Sequence, residues 1–186
     1  MNLNKVEIGN ADEVTKPILE SAKKQMGMVP NMLALMANNP AQLDAYTKVD
    51  ATFRQNSGLS AKEQEVVLLT AAVENACTYC VAAHSFIGKN QSGLSDDELD
   101  ALRNKGKLAD EKLEALHQFT QKMVEVSGFA DETDRQALFN AGYNEKTVIA
   151  VVTGISLKTL SNYFNHQAET PLDSAFASFK WEPEAV

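Results

Sequence analysis

The chain has 186 residues, 17 Lys and Arg against 25 Asp and Glu, and a formal net charge of −8. At roughly 100–200 residues per domain this is one domain, long enough to bury a core without disulfides or structural metals. The acidic balance argues against a nucleic-acid binder, which needs concentrated positive charge, and against a protein held on anionic membranes.

The apolar positions then give the elements in chain order. Ile18, Leu19, Ala22 and Met26 recur at threes and fours, the spacing of one helix face, and predict a helix over 12–26 that stops at Gly27. Pro30 and Pro40 suit first helical turns, and helices follow over 30–38 and 40–55, the second carrying Leu43, Tyr46, Val49 and Phe53. Two capping boxes, Ser60-x-x-Glu63 and Ser95-x-x-Glu98, open helices over 61–74 and 96–105. Between them Asn75 is an N-cap for a helix over 76–91. Leu113, Leu116, Phe119 and Met123 mark 109–127, and a further helix covers 131–141. Gly58, Gly93, Gly106, Gly128 and Gly142 fall where these segments stop.

The run Val148-Ile149-Ala150-Val151-Val152 has the β-branched content of a strand. Its pattern continues without a turn through Ile155, Leu157, Leu160 and Phe164, which predicts a helix over 145–168. A helix so apolar is central or buried against another subunit. A last helix is expected over 172–179, with loosely held ends at 1–10 and 181–186. The expected fold is all-α, a single-domain helical bundle spanning 1–186.

No apolar run approaches the ~20 residues of a membrane span. The N-terminal MNLNKVEIGN has no apolar core of a secretory signal, so a cytoplasmic protein is expected. The two cysteines sit three apart, which suits a redox or metal pair rather than a disulfide scaffold.

The chemistry concentrates in Glu74-Asn75-Ala76-Cys77-Thr78-Tyr79-Cys80-Val81-Ala82-Ala83-His84. Cysteines at i and i+3 of a helix stand roughly 5 Å apart at Cα, within disulfide reach. If Asn75 caps the helix, Cys77 lies in its first turn, where free N–H groups favour a thiolate. Cys77, Cys80 and His84 share one stripe, and the imidazole is an i, i+4 neighbour of the second thiol. A chain reversal near Asn75 brings Glu65 toward His84. Glu63 is already used in a cap, so Glu65 is the better base or imidazole orienter.

The pattern Glu65, eleven residues, then Cys77-x-x-Cys80-x-x-x-His84 resembles the alkylhydroperoxidase AhpD-like branch of the carboxymuconolactone decarboxylase family. Gly27-Met28-Val29-Pro30-Asn31, Asn39-Pro40, Asn162-Tyr163-Phe164-Asn165-His166 and Thr170-Pro171-Leu172-Asp173 are similar to its peroxidase-related members. The resemblance implies an all-helical homo-oligomer and a hydroperoxide reductase. It implies that Cys80 becomes a sulfenic acid, that Cys77 resolves it and donates a proton, and that Glu65 and His84 form a proton relay. It also implies an external dithiol, lipoyl or thioredoxin-like reductant, and neither cofactor nor metal. Where alkylhydroperoxidases carry a histidine between the cysteines, this chain has Tyr79.

Other readings stand beside this one. The thiols could be small buried hydrophobes. Zinc could take Cys77, Cys80 and His84, although Cys77 and His84 lie ~10 Å apart along one helix. The protein could be an oligomeric redox sensor or interaction protein, or a non-redox decarboxylase-like enzyme. Tyr79 is expected to be a packing or interface residue, His117 a core-edge histidine, and His166 a helix-end partner of the dipole. Met26, Met28, Met32 and Met36 are adaptable packing.

Overall fold

The computed structural model describes residues 1–183, which form α-helices joined by short turns, with no strand among the described residues. The helices are α1 (Thr15–Met26), α2 (Asn31–Met36), α3 (Pro40–Asn56), α4 (Ala61–Glu74), α5 (Thr78–Ile87), α6 (Asp96–Arg103), α7 (Glu111–Glu125), α8 (Glu132–Asn140) and α9 (Glu145–Ala168). None is long and apolar enough to cross a membrane, among the described residues.

The centre is α4. Every residue from Gln64 to Val73 is buried, because α5, α6, α7 and α9 all pack on it. Its start is the reciprocal cap read from the sequence, with Glu63 N–H donating to Ser60 Oγ and Ser60 N–H donating to Glu63 Oε2. The second box at Ser95 and Glu98 forms likewise.

The β-branched run is helical, inside α9. Helical pairing is retained because α9 crosses α3 and α4 at close range around Gly154, where an added Cβ would stand 2.7 Å from Val67 Cγ1 and 3.2 Å from Phe53 Cε2. The inner face of α9 is buried, whereas Ile149, Val152 and Tyr163 are exposed on its outer side.

Four expectations need correction. Asn75 does not cap α5; it ends α4, and Ala76 follows in the left-handed region at φ 51°. Cys77 is therefore the N-cap of α5 and lies before its first turn. The helix expected to 91 runs to Ile87 and finishes in a wider π turn over Gly88–Ser92. At the end of α6 the left-handed residue is Lys105, at φ 53°, and not Gly106. The final segment is a 3-10 turn, Ser174–Phe179.

The ends are tied at identifiable points. Val6 N–H donates to Ala34 O at 2.9 Å, and the Trp181 indole donates to Arg103 O at 3.1 Å. Residues 184–186, part of the expected loose C-terminus, lie outside the described residues.

Candidate active site

The reversal between α4 and α5 builds the site. Cys77 N–H donates to Ala72 O, and Val81 N–H to Cys77 O, each at 2.9 Å, so the chain turns back immediately after α4. Asn75 uses its side chain elsewhere, donating to Asn162 Oδ1 on α9 at 3.0 Å. The two helices then run side by side, and Glu65 Oε2 meets His84 Nδ1 at 2.8 Å.

Glu65 is fully buried. Burial pushes its carboxyl up, but His84 and the Arg54 guanidinium on its other oxygen outweigh burial and hold it below the ordinary range. The far ring nitrogen of His84 is engaged by Lys158, with Nζ 2.7 Å from Nε2. A lysine ammonium only donates, so this contact makes Nε2 the acceptor and leaves the ring proton on Nδ1, aimed at the carboxylate. The imidazole was expected to approach the Cys80 thiol; Lys158 occupies that nitrogen instead.

The sulfurs face α9. Asn165 Nδ2 lies 3.2 Å from Cys80 Sγ and 3.8 Å from Cys77 Sγ, and Ser161 Oγ lies 3.8 Å from Cys80 Sγ. Both cysteines are free and buried. They titrate in opposite directions. The Cys77 thiol is pushed up by its hydrogen bond to Cys80, by burial and by the charge on that neighbour. Burial would raise Cys80 too, but the Cys77 hydrogen bond, the Lys158 ammonium, the nearby His84 ring and the Ser161 hydroxyl hold it well below an ordinary thiol. The sequence expectation placed thiolate stabilisation at Cys77; the structure gives it to Cys80, at the third position of α5.

A cavity of about 510 Å³ opens onto this group between α1, α3, α5 and α9, lined by Tyr46, Arg54, Tyr79, Cys80, His84 and Lys158 among others. Cys77 lies behind Cys80, outside the lining. Tyr79 OH donates to Asp173 Oδ2 at 2.6 Å and accepts from Met32 N–H at 3.4 Å, while its ring meets Phe176 edge-on. It thereby joins α5 to α2 and to the C-terminal turn. Burial and Asp173 push its phenol up, so it keeps its proton.

The remaining histidines are not brought to the site. His117 Nδ1 pairs with Thr70 Oγ1 at 2.7 Å in the core between α4 and α7, and burial pushes its imidazole pKa down. His166 is exposed near the end of α9 and stacks on Tyr163. Among the described residues no group of three or more His, Cys, Asp and Glu could hold a metal ion.

Sequence reasoning missed Arg54, Lys158, Ser161 and Asn165. A signal existed for the last three: they recur at spacings of three and four, on one face of the helix.

Residues 40–116 match the model of the carboxymuconolactone decarboxylase family. No curated protein sequence matches the chain. Among solved structures, the fold is similar to an alkylhydroperoxidase AhpD core, an uncharacterized peroxidase-related protein from Ralstonia eutropha JMP134, at TM-score 0.84 and 21% identity over 93% of this chain and 92% of that one. It is similar to an uncharacterized peroxidase-related protein from Silicibacter sp. TM1040 at TM-score 0.79 and 22% identity, covering 97% of each chain. A cysteine-to-alanine variant of the debrominase Bmp8, in complex with 2,3,4-tribromopyrrole, matches at TM-score 0.80 and 14% identity over 96% of this chain and 95% of that one. The segment that carries Glu65, Cys77, Cys80 and His84 thus lies within the stretch that matches the carboxymuconolactone decarboxylase family model, in a chain with the AhpD-like all-helical fold.

Proposed function

We propose that the protein is a thiol-dependent hydroperoxide reductase. The observation that carries this reading is the asymmetry of the two sulfurs: Cys80 lines a cavity and is held well below an ordinary thiol, and Cys77 stands behind it and is pushed above one. The Cys80 sulfur attacks the outer peroxide oxygen. An S–O bond forms, the O–O bond breaks, and Cys80 becomes a sulfenic acid. Cys77 then attacks that sulfur, forming the disulfide and releasing water. An external dithiol or lipoyl or thioredoxin-like partner reduces the disulfide by exchange. Glu65 holds His84 in one tautomer, and the pair manages protons in the cavity wall.

Hydroperoxide consumption in the presence of a dithiol tests the proposal. Loss of turnover in Cys80→Ser is expected; turnover as fast as wild type contradicts it.

A second reading has one observation in its favour. The cavity is larger than a peroxide group requires and is walled by Tyr46, Tyr79 and Phe176, so an aromatic ring fits it. The similarly folded debrominase takes a brominated pyrrole. Reductive dehalogenation would use the same two electrons from the same dithiol. Bromide release from tribromopyrrole, with no hydroperoxide consumption, would favour this reading over the first.

A further inference from the structure

Lys158 is 1% exposed, on the buried face of α9. Burying an ammonium costs several kcal/mol unless its surroundings compensate. Its one hydrogen bond is to His84 Nε2, a neutral acceptor that only partly does so. The missing compensation is an anion. Lys158 lines the cavity together with Cys80, and one helical turn further along α9 Ser161 touches the Cys80 sulfur. The charged and titratable groups around that sulfur and its cavity are, among the described residues, Tyr46, Asp50 and Arg54 on α3, Glu65 on α4, Cys77, Tyr79 and His84 at α5, and Lys158 on α9. Arg54 is committed to Glu65 and Asp50, and Tyr79 to Asp173. Lys158 is the cation left for the thiolate.

Geometry also separates Lys158 from Cys77 as a proton source. The oxygen that leaves when the peroxide breaks is on the cavity side of Cys80. Lys158 lines that cavity, and Cys77 does not. We propose that Lys158 is a catalytic residue, at once the counter-ion of the Cys80 thiolate and the acid that protonates the alkoxide leaving the peroxide. This inference rests on the hydroperoxide-reductase reading and adds to it the group that delivers the proton.

The step balances. The Cys80 thiolate and ROOH give Cys80–SOH and an alkoxide; sulfur is oxidised and the peroxide oxygens are reduced. Lys158 gives one proton to the alkoxide, leaving ROH and a neutral amine held by His84. Cys77–SH and Cys80–SOH then give the disulfide and water with no net proton. Reduction by an external dithiol returns two thiols, and Cys80 passes its proton back to Lys158. Each turnover moves one proton between Lys158 and Cys80, with Glu65 and His84 holding the amine in place.

The test uses the full chain with Cys77→Ser, so that Cys80 is the only thiol, with and without Lys158→Met. Thiolate absorbance across pH reads the Cys80 titration, and a sulfenic-acid trap with cumene hydroperoxide reads the oxidation rate. Lys158→Met is expected to move the Cys80 titration to higher pH. It should also slow oxidation about 100-fold or more, the usual span of a lost general acid. The deficit must persist at pH 7 once each rate is divided by the thiolate fraction that the absorbance reads, since Lys158 must keep its proton to act as an acid. A titration and a rate per thiolate within twofold of the parent overturn the proposal. A moved titration with an unchanged rate per thiolate overturns the acid role.

If Lys158→Met does not fold, Lys158→Gln takes its place. If that too fails, the wild-type chain with 13C at lysine Cε carries the test. One lysine resonance should move when the disulfide forms, and no movement overturns the proposal. Absence of hydroperoxide consumption by wild type removes the reductase reading itself, an outcome distinct from all of these.

Discussion

Glu65 Oε2 lies 2.8 Å from His84 Nδ1, although nineteen positions separate them in the chain. The contact exists because α4 and α5 fold back on each other at Ala76 and Cys77, and it fixes which ring nitrogen faces the cavity. Glu65→Gln removes the acceptor charge that orients the ring and leaves Arg54 without its buried partner. Breaking a buried pair typically costs ~3–5 kcal/mol. A lower urea midpoint and at least a tenfold loss of kcat for hydroperoxide reduction are expected. Unchanged kinetics in a folded variant would remove Glu65 from the relay.

The opposite titration of the two thiols predicts a pH profile. Cys80 lies well below an ordinary thiol, so its alkylation rate should stay level as pH falls through 8 toward 7. An unperturbed thiol, with a pKa of ~8.5, loses nearly tenfold per unit there. Cys77, pushed up, should be silent in the same experiment. Brief alkylation of the wild-type chain, in which both sulfurs keep each other as partners, followed by site-resolved mass spectrometry, reads each cysteine.

Acid should weaken the fold in a defined window. The Ser60 cap, Lys112 and Tyr143 outweigh burial and pull the Glu63 carboxyl from 4.5 to about 2. A carboxyl lowered in the folded state adds stability above its unfolded value and loses it as pH falls through the folded one. Glu65, also lowered, works in the same direction. Stability should decline from about pH 4.5 toward pH 2, and Glu63→Gln should flatten that decline in urea titrations at several pH values.

Tyr79 stands between the two cysteines, and its contacts are structural: Asp173, the Met32 amide and Phe176. Tyr79→Phe leaves Asp173 short of a buried donor, which costs ~1–3 kcal/mol. The expected result is a lower thermal midpoint with peroxide turnover within a few-fold of wild type. A large loss of turnover at unchanged stability would place the phenol in the chemistry.

Gly154 has no room for a side chain, since a Cβ would press on Val67 and Phe53. Gly154→Ala should destabilise by ~1–3 kcal/mol through overpacking, although it favours the helix intrinsically. A gain in stability in urea would show that α9 can slide. The same helix also shifts Lys158, Ser161 and Asn165, so sulfenic-acid formation should slow with it.

How much of this was legible in the sequence depends on how local each signal is. The capping boxes at Ser60 and Ser95 are complete within four residues and form as read. The α4–α5 hairpin is short, so counting outward from Asn75 was enough to pair Glu65 with His84. The cap itself was misplaced by two residues, because nothing in the sequence marks Ala76 as left-handed. That shift moved the favoured thiolate from Cys77 to Cys80. Lys158 reaches His84, and Ser161 and Asn165 reach the thiols, through tertiary packing across more than seventy positions, and no local rule pairs a lysine in α9 with a histidine in α5. Only their shared helix face hinted that α9 covers something polar.

The most direct measurement is site-resolved oxidation of the intact chain. A stoichiometric pulse of hydroperoxide is applied with a sulfenic-acid trap present, and each cysteine is read by mass spectrometry. In Cys77→Ser the trap should label Cys80, and in wild type the label should give way to a chain lighter by two hydrogens, the Cys77–Cys80 disulfide. Label on Cys77 in Cys80→Ser at the same rate, or no oxidation of either sulfur, would contradict the assignment of Cys80 as the residue that meets the peroxide.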